Sequence, residues 1–259
     1  MSAGEPPPDD LPLTDDALLG GRLRLLQPAR GHRAGHDALL LAASVPAAIR
    51  RAVDLGAGVG AAGLAVAARL PATRLHLVEI DPVTAALARR NAARQQPDLS
   101  ARVSVVEADI ATLARPGGPA EPGARAADAV LMNPPFNDPA RHRVSPSGRR
   151  ALAHMAEDVA LDDWVKAAER LLAPGGHLAL IHRPEALEAI LAALSGRFGA
   201  VTIRPVHGRP DAPAIRVLVG AVKGRRTPPA LLPGLLLADA GGRPTPAAEA
   251  VLRDGAGVA

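Results

Sequence analysis

Residues 51–60 read RAVDLGAGVG, a short apolar run from Arg51 to Leu55 that ends on the alternating glycines Gly56, Gly58 and Gly60. The Ala/Leu/Val stretch of 61–70 follows at once, so the pattern is strand, tight turn, helix. Glycines at such a turn let the backbone bend sharply and let a ligand approach where a Cβ would otherwise stand. Gly56, Gly58 and Ala61 satisfy the spacing G-x-G-x-x-G/A, and Glu79 lies about twenty residues on, where a ribose-binding carboxylate belongs. The turn therefore points to a nucleotide-type ligand. Its spacing leaves open whether that ligand is a nicotinamide dinucleotide or S-adenosylmethionine.

The same rhythm continues outward. Strands are expected over 74–79, 102–106, 128–132 and 177–182, with helices over 36–50, 61–70, 83–95, 161–172 and 186–194. Pro82 suits a first helical turn, and Pro174-Gly175-Gly176 suits a stop. Two further strands, 200–205 and 215–222, have no helix between them and read as a hairpin. The expected class is α/β: a Rossmann-like, doubly wound, mostly parallel seven-stranded sheet with an antiparallel hairpin at one edge. Residues 1–12 are Pro/Asp-rich and expected to be a disordered tail, 13–222 form the Rossmann-like domain, and 223–259 are an extension packed on it, with Thr245 capping a helix.

Bulk composition narrows the classes. Hydrophobic residues make up 48% of the 259 but aromatics only 1%, so Ala, Leu, Val and Ile must fill the core. No run nears the roughly 18 apolar residues that span a bilayer, and the acidic start MSAGEPPPDD is unlike a secretory signal, so a cytoplasmic protein is expected. The absence of cysteine excludes disulfides, iron–sulfur clusters and thiolate chemistry, and no metal-ligand spacing such as H-E-x-x-H occurs. A net charge of +4, carried almost entirely by Arg, supports nucleic-acid binding only weakly.

Acids follow the strands in order. Asp54 opens the glycine turn, and Glu79 ends its strand in VEIDP, where it could accept ribose hydroxyls; it is favoured over the neighbouring Asp81, which lies beyond the strand. Asp109, in VVEADI, could accept from the amino group of a cofactor adenine.

The tetrapeptide Asn133-Pro134-Pro135-Phe136 decides the chemistry. A planar exocyclic amine is a poor nucleophile, because its lone pair is delocalised into the ring. Two acceptors, the Asn133 side-chain oxygen and the Pro134 carbonyl, can each hold one N–H and aim the lone pair at a sulfonium methyl. Consecutive prolines fix φ and donate no competing N–H, so the carbonyl stays turned outward. Such catalysis is positioning and electrostatics without a strong base. Phe136 offers a face for stacking, worth about 1–3 kcal/mol per base, in a chain with two Phe, one Trp and no Tyr.

DLGAGVG, VEID, EADI and NPPF, in this order, resemble the class I S-adenosylmethionine methyltransferases that methylate amines, over roughly residue 27 to the C-terminus. QPARGHRAGHDALLLA resembles a segment of the bacterial tRNA1(Val) adenine-N6 methyltransferases, and the likeness continues in RRALAHMAE, LLAPGGHLALIHRP and LLLADAGGRPTPAAEAVL. This resemblance implies S-adenosyl-L-methionine as cofactor, tRNA as the RNA partner, methylation of the adenine just 3′ of the anticodon, and Arg33 and Asp37 beside the methionine end of the cofactor. The candidate site is then Asn133, Pro134 and Phe136 for catalysis, with Arg33, Asp37, Asp54, Gly56, Gly58, Glu79, Asp109 and Asn133 for the cofactor. Arg141, Arg143, Arg149, Arg150, Lys223, Arg225 and Arg226 are expected to meet phosphates flanking a flipped base. His142, His154 and His182 read as loop or surface residues.

There are departures from the family's pattern. His32 stands where those enzymes carry Tyr, Ala34 where they carry Phe, and NPPF replaces NPPY. Protein-glutamine N5 and ribosomal-RNA guanine-N2 methyltransferases also carry NPPY or NPPF, so both stay open as alternatives. An NAD-linked oxidoreductase would give NPPF no purpose, and a non-catalytic RNA-binding module would not need Asn133 and Pro134 in this arrangement.

Overall fold

A hairpin that the sequence reading did not anticipate opens the fold: β1 (Leu13–Leu18) lies antiparallel to β2 (Leu23–Pro28). Leu23, Leu25 and Gln27 turn inward at a period of two, while Gly20 and Gly21 take left-handed φ values of 64° and 92° at the bend. The computed structural model describes residues 12–31, 33–113, 115–135 and 161–258. Residues 1–11 of the expected tail, His32, Phe136, His142, His154 and the arginines at 141, 143, 149 and 150 lie outside the described residues.

Helix α1 (His36–Ser44) carries six consecutive buried residues, Ala38 to Ala43, and runs into β3 (Arg51–Leu55), α2 (Ala61–Arg69), β4 (Arg74–Glu79) and α3 (Pro82–Ala93). After the short α4 (Pro97–Ser100) come β5 (Val103–Glu107) and β6 (Ala127–Met132). The chain resumes with α5 (Leu161–Leu171), β7 (Leu172–His182), α6 (Leu187–Leu194), β8 (Phe198–His207) and β9 (Ala214–Lys223). It ends in β10 (Ala230–Leu231), β11 (Leu235–Leu236) and α7 (Pro246–Leu252).

These strands build a nine-stranded sheet in the order β10-β8-β9-β7-β6-β3-β4-β5, with β11 also on β8. Only β9 runs antiparallel to its neighbours, between β7 and β8. All seven expected strands are present; β10 and β11 are additions, so the β8–β9 hairpin is not the outermost element. Each addition is two residues long and flanked by Pro228-Pro229 or Pro233, and such proline density reads as non-strand.

A parallel sheet covered on both faces needs strands that are apolar on both sides. One core layer sets Leu75, Leu77 and Leu131 of the sheet against α1, α2 and α3, with Leu64 of α2 among them; the other sets Val53, Leu55 and Met132 against α5 and α6, with Trp164 of α5 among them. Beyond Lys223, Thr245 caps α7 by accepting from Ala248 N at 3.1 Å, and Val258 N donates to Ala43 O in α1 at 3.0 Å. No helix among the described residues is long and apolar enough to cross a membrane.

Candidate active site

Strand order reverses at β3: β6 lies on one side of it, β4 and β5 on the other. In open α/β sheets, such a switch point opens a crevice beyond the carboxyl ends of the strands. Register then decides who lines it. Leu55 pairs with Met132 on one side and with Val78 on the other, and Glu79 pairs with Glu107. The residues that follow therefore emerge along one edge: Asn133, the Gly56 turn, Glu79, and Asp109 just beyond β5.

Three glycines of the turn have left-handed φ, at 64° for Gly56, 57° for Gly58 and 92° for Gly60. Their surroundings differ. A Cβ on Gly56 would stand 2.4 Å from the Trp164 ring, and one on Gly60 would stand 2.9 Å from Leu77, whereas one on Gly58 would meet nothing within 4 Å. Gly56 and Gly60 thus serve packing as well as backbone shape, while Gly58 turns its bare side to open space, the cradle a nucleotide-type ligand needs.

Asp54 lies under the turn, 2% exposed, and accepts from Gly63 N at 2.8 Å, tying β3 to the first turn of α2. Burial pushes its carboxyl up to about 7, and the nearby Glu79 charge adds to the shift. Glu79 accepts from three backbone N–H groups: Gly58 at 2.8 Å, Ile80 at 2.9 Å and Asp81 at 2.9 Å. Burial raises its pKa although all three bonds oppose the rise. Asp81 is occupied elsewhere, capping α3 by accepting from Val83 N at 3.2 Å and the Thr84 hydroxyl at 2.7 Å. Asp109 shapes its own turn, accepting from Ala111 N at 2.8 Å.

Asn133 follows β6 directly, and its Oδ1 is buried without a hydrogen-bond partner. Buried acceptors are nearly always paired, because an orphan forfeits about 1–3 kcal/mol. Pro134 beside it is buried. The indole Nε1 of Trp164, the residue that presses on Gly56, is a buried donor without a partner, as is Arg69 Nε.

Arg33 and Asp37 are both engaged by protein groups. The Arg33 guanidinium donates to Asp16 Oδ2 at 2.6 Å, Thr14 Oγ1 at 3.0 Å and Pro28 O at 3.1 Å. Asp37 Oδ2 accepts from Arg216 Nε at 2.8 Å.

Two expectations are corrected. Phe198↔Lys223 and His177↔Val222 place Lys223, Arg225 and Arg226 at the end of the sheet opposite Asn133, and Lys223 Nζ donates to the Glu169 and Leu172 carbonyls. These side chains do not reach phosphates at the crevice. His182, read as a loop or surface residue, is 9% exposed at the end of β7, and burial lowers its pKa. Sequence reasoning also passed over Trp164, Asn91 and Asp16, which support the turn and Arg33; the chain's single Trp was the one available signal. No cluster of His and acidic side chains able to hold a metal occurs among the described residues.

Residues 34–205 match the family described as methyltransferase small domain. A tRNA1(Val) (adenine(37)-N6)-methyltransferase from Porphyromonas gingivalis is 33% identical over 179 residues, 69% of this chain and 63% of that protein, so the match spans less than two thirds of the relative. The protein of the same name from Aeromonas hydrophila is 34% identical over 203 residues, covering 74% of this chain and 77% of its own. A crystal structure of a predicted O-methyltransferase from Agrobacterium tumefaciens superposes with a TM-score of 0.70 at 34% identity, over 86% of this chain and 98% of that one.

Proposed function

The chain belongs to the methyltransferase small domain family, and from that premise we propose that it is an S-adenosylmethionine-dependent N-methyltransferase acting on the exocyclic amine of adenine in tRNA. One observation carries the reading. The Asn133 oxygen is buried and unpartnered at the end of β6, and in register it stands beside the turn where the cofactor would lie.

Bound S-adenosylmethionine supplies an electrophilic methyl group on a sulfonium. The open side of Gly58 gives its nucleoside room, and Asp109, just beyond β5, is the acceptor for its adenine amine. Glu79 has three of a carboxylate's about four acceptor positions filled, so it takes one ribose hydroxyl as it stands and both only if Gly58 N–H lets go. Arg33 and Asp37 take the methionine end.

The substrate amine has two N–H bonds, and Asn133 Oδ1 and the Pro134 carbonyl are two acceptors for them. Holding both protons keeps the nitrogen lone pair directed at the methyl, and the surplus proton leaves the product without a strong base. A hydroxyl acceptor has a single proton and would leave one of these oxygens idle, which favours nitrogen. Stacking on Phe136 completes the reading.

Incubation with radiolabelled S-adenosylmethionine and either total tRNA or total protein tests it. Label recovered as N6-methyladenosine after nuclease digestion is the expected result. Label in protein glutamine, or in methylguanosine, would replace the acceptor while keeping the cofactor.

A further inference from the structure

Asn91 of α3 is fully buried, and nothing in the chemistry above uses it. Its Oδ1 accepts from Leu26 N at 2.7 Å, and its Nδ2 donates to Leu26 O at 2.9 Å and to Val59 O at 3.0 Å. One amide thus grips both backbone groups of a residue in β2 and, with its remaining proton, the carbonyl between Gly58 and Gly60. An amide side chain fits this task because it offers an acceptor and two donors in a fixed plane.

The same hairpin also holds Arg33, the residue proposed above for the methionine end of the cofactor. Asp16 Oδ2 in β1 accepts from Arg33 at 2.6 Å, and also from the Thr14 hydroxyl at 2.8 Å and from Gln27 Nε2 at 2.6 Å. Arg94 and Gln95 fasten the hairpin to α3, through Asp15 at 2.6 Å and the Arg24 carbonyl at 3.0 Å. A two-stranded hairpin is marginal alone, yet this one is anchored on the helix beside the glycine turn, shares Asn91 with that turn and holds Arg33.

We propose that the N-terminal hairpin β1–β2 is a working part of the cofactor site, in which Asn91 positions the glycine turn and Asp16 positions Arg33. The proposal rests on the reading of that turn as the S-adenosylmethionine site. Asn91 and Asp16 are positioning residues: each acts through a neighbour and touches no reacting atom.

Calorimetric titration of the full chain with S-adenosylmethionine tests both arms. Asn91→Ala should weaken binding roughly tenfold, the usual scale for stranding buried hydrogen-bonding groups, while turnover at saturating cofactor stays within about threefold of wild type. Amide exchange should quicken at 56–60 and stay unchanged in the sheet strands; a uniform quickening would mean a merely structural role and overturn the Asn91 arm. Where Asn91→Ala does not fold, Asp16→Asn decides, because the Asp16–Arg33 pair is about one-third exposed and the amide keeps an oxygen for the buried Gln27 Nε2. An affinity drop of roughly threefold or more with unchanged melting temperature supports the brace. Wild-type affinity in one variant removes that arm, and in both overturns the proposal. A wild-type chain that binds no S-adenosylmethionine overturns the underlying reading instead.

Discussion

On the β4 side of the crevice the protein satisfies itself: Asp54 and Glu79 are buried, Asp54 accepting from Gly63 N–H in α2 and Glu79 from the N–H groups of Gly58, Ile80 and Asp81. On the β6 side, one strand-pair away, the Asn133 oxygen is equally enclosed and accepts from nothing. The glycine side is finished before any ligand arrives, so its shape is preorganised. The asparagine side leaves its acceptor unmatched, at a cost to stability that only a partner from outside would repay.

The largest test of this contrast is Asn133→Ala. Turnover should fall about 10²–10³-fold, the scale for losing one preorganised group that acts on the transition state, with cofactor affinity unchanged and melting temperature unchanged or higher. A sharp loss of stability would mean that the oxygen has an internal partner, and the contrast would disappear.

Asp54→Asn sharpens the other side. Because burial lifts the folded pKa to about 7 from an ordinary 3.8, the folded state keeps a proton that the unfolded chain has released. This contribution to stability is complete below the unfolded value and is lost as pH rises through the folded one. The slope reaches about 1.4 kcal/mol per pH unit. The amide variant, which keeps an oxygen for Gly63 N–H, should lose less stability than wild type between pH 4 and 7 in chemical denaturation. Parallel curves for the two proteins would place the ionised carboxylate under the turn throughout that pH window.

A smaller effect separates backbone shape from packing. Gly56→Ala must adopt φ of 64° and meet the Trp164 ring, and should cost about 1–3 kcal/mol. Adding Trp164→Leu should recover the contact part and leave the φ part. No recovery would show that the indole yields freely and that conformation alone fixes the glycine.

Much of this was legible in the sequence where local chemistry and tertiary demand agree. The run RAVDLGAGVG is strand, left-handed turn and helix in the fold, because only glycine takes those φ values cheaply. The hairpin was missed because β1 carries Asp15 and Asp16 and is only half covered, so its letters show no clear apolar face. β10 and β11 were missed because they borrow their order from β8. Asn91 gave no local sign at all: its three bonds reach residues 65 and 32 positions away, and the letters around it are those of an ordinary helix. The destination of Lys223 was likewise hidden, since its charge suggests phosphate while the antiparallel return of β9 carries it to the far end.

The contact between Trp164 and Gly56 also has a spectroscopic consequence. With one tryptophan and no tyrosine in the chain, near-ultraviolet emission excited at the indole band comes from that single ring, set against the bend of the glycine turn. The molecule therefore carries an intrinsic fluorophore at the element where occupancy would be felt, and its quantum yield and wavelength maximum report on the surroundings of that turn, without any label.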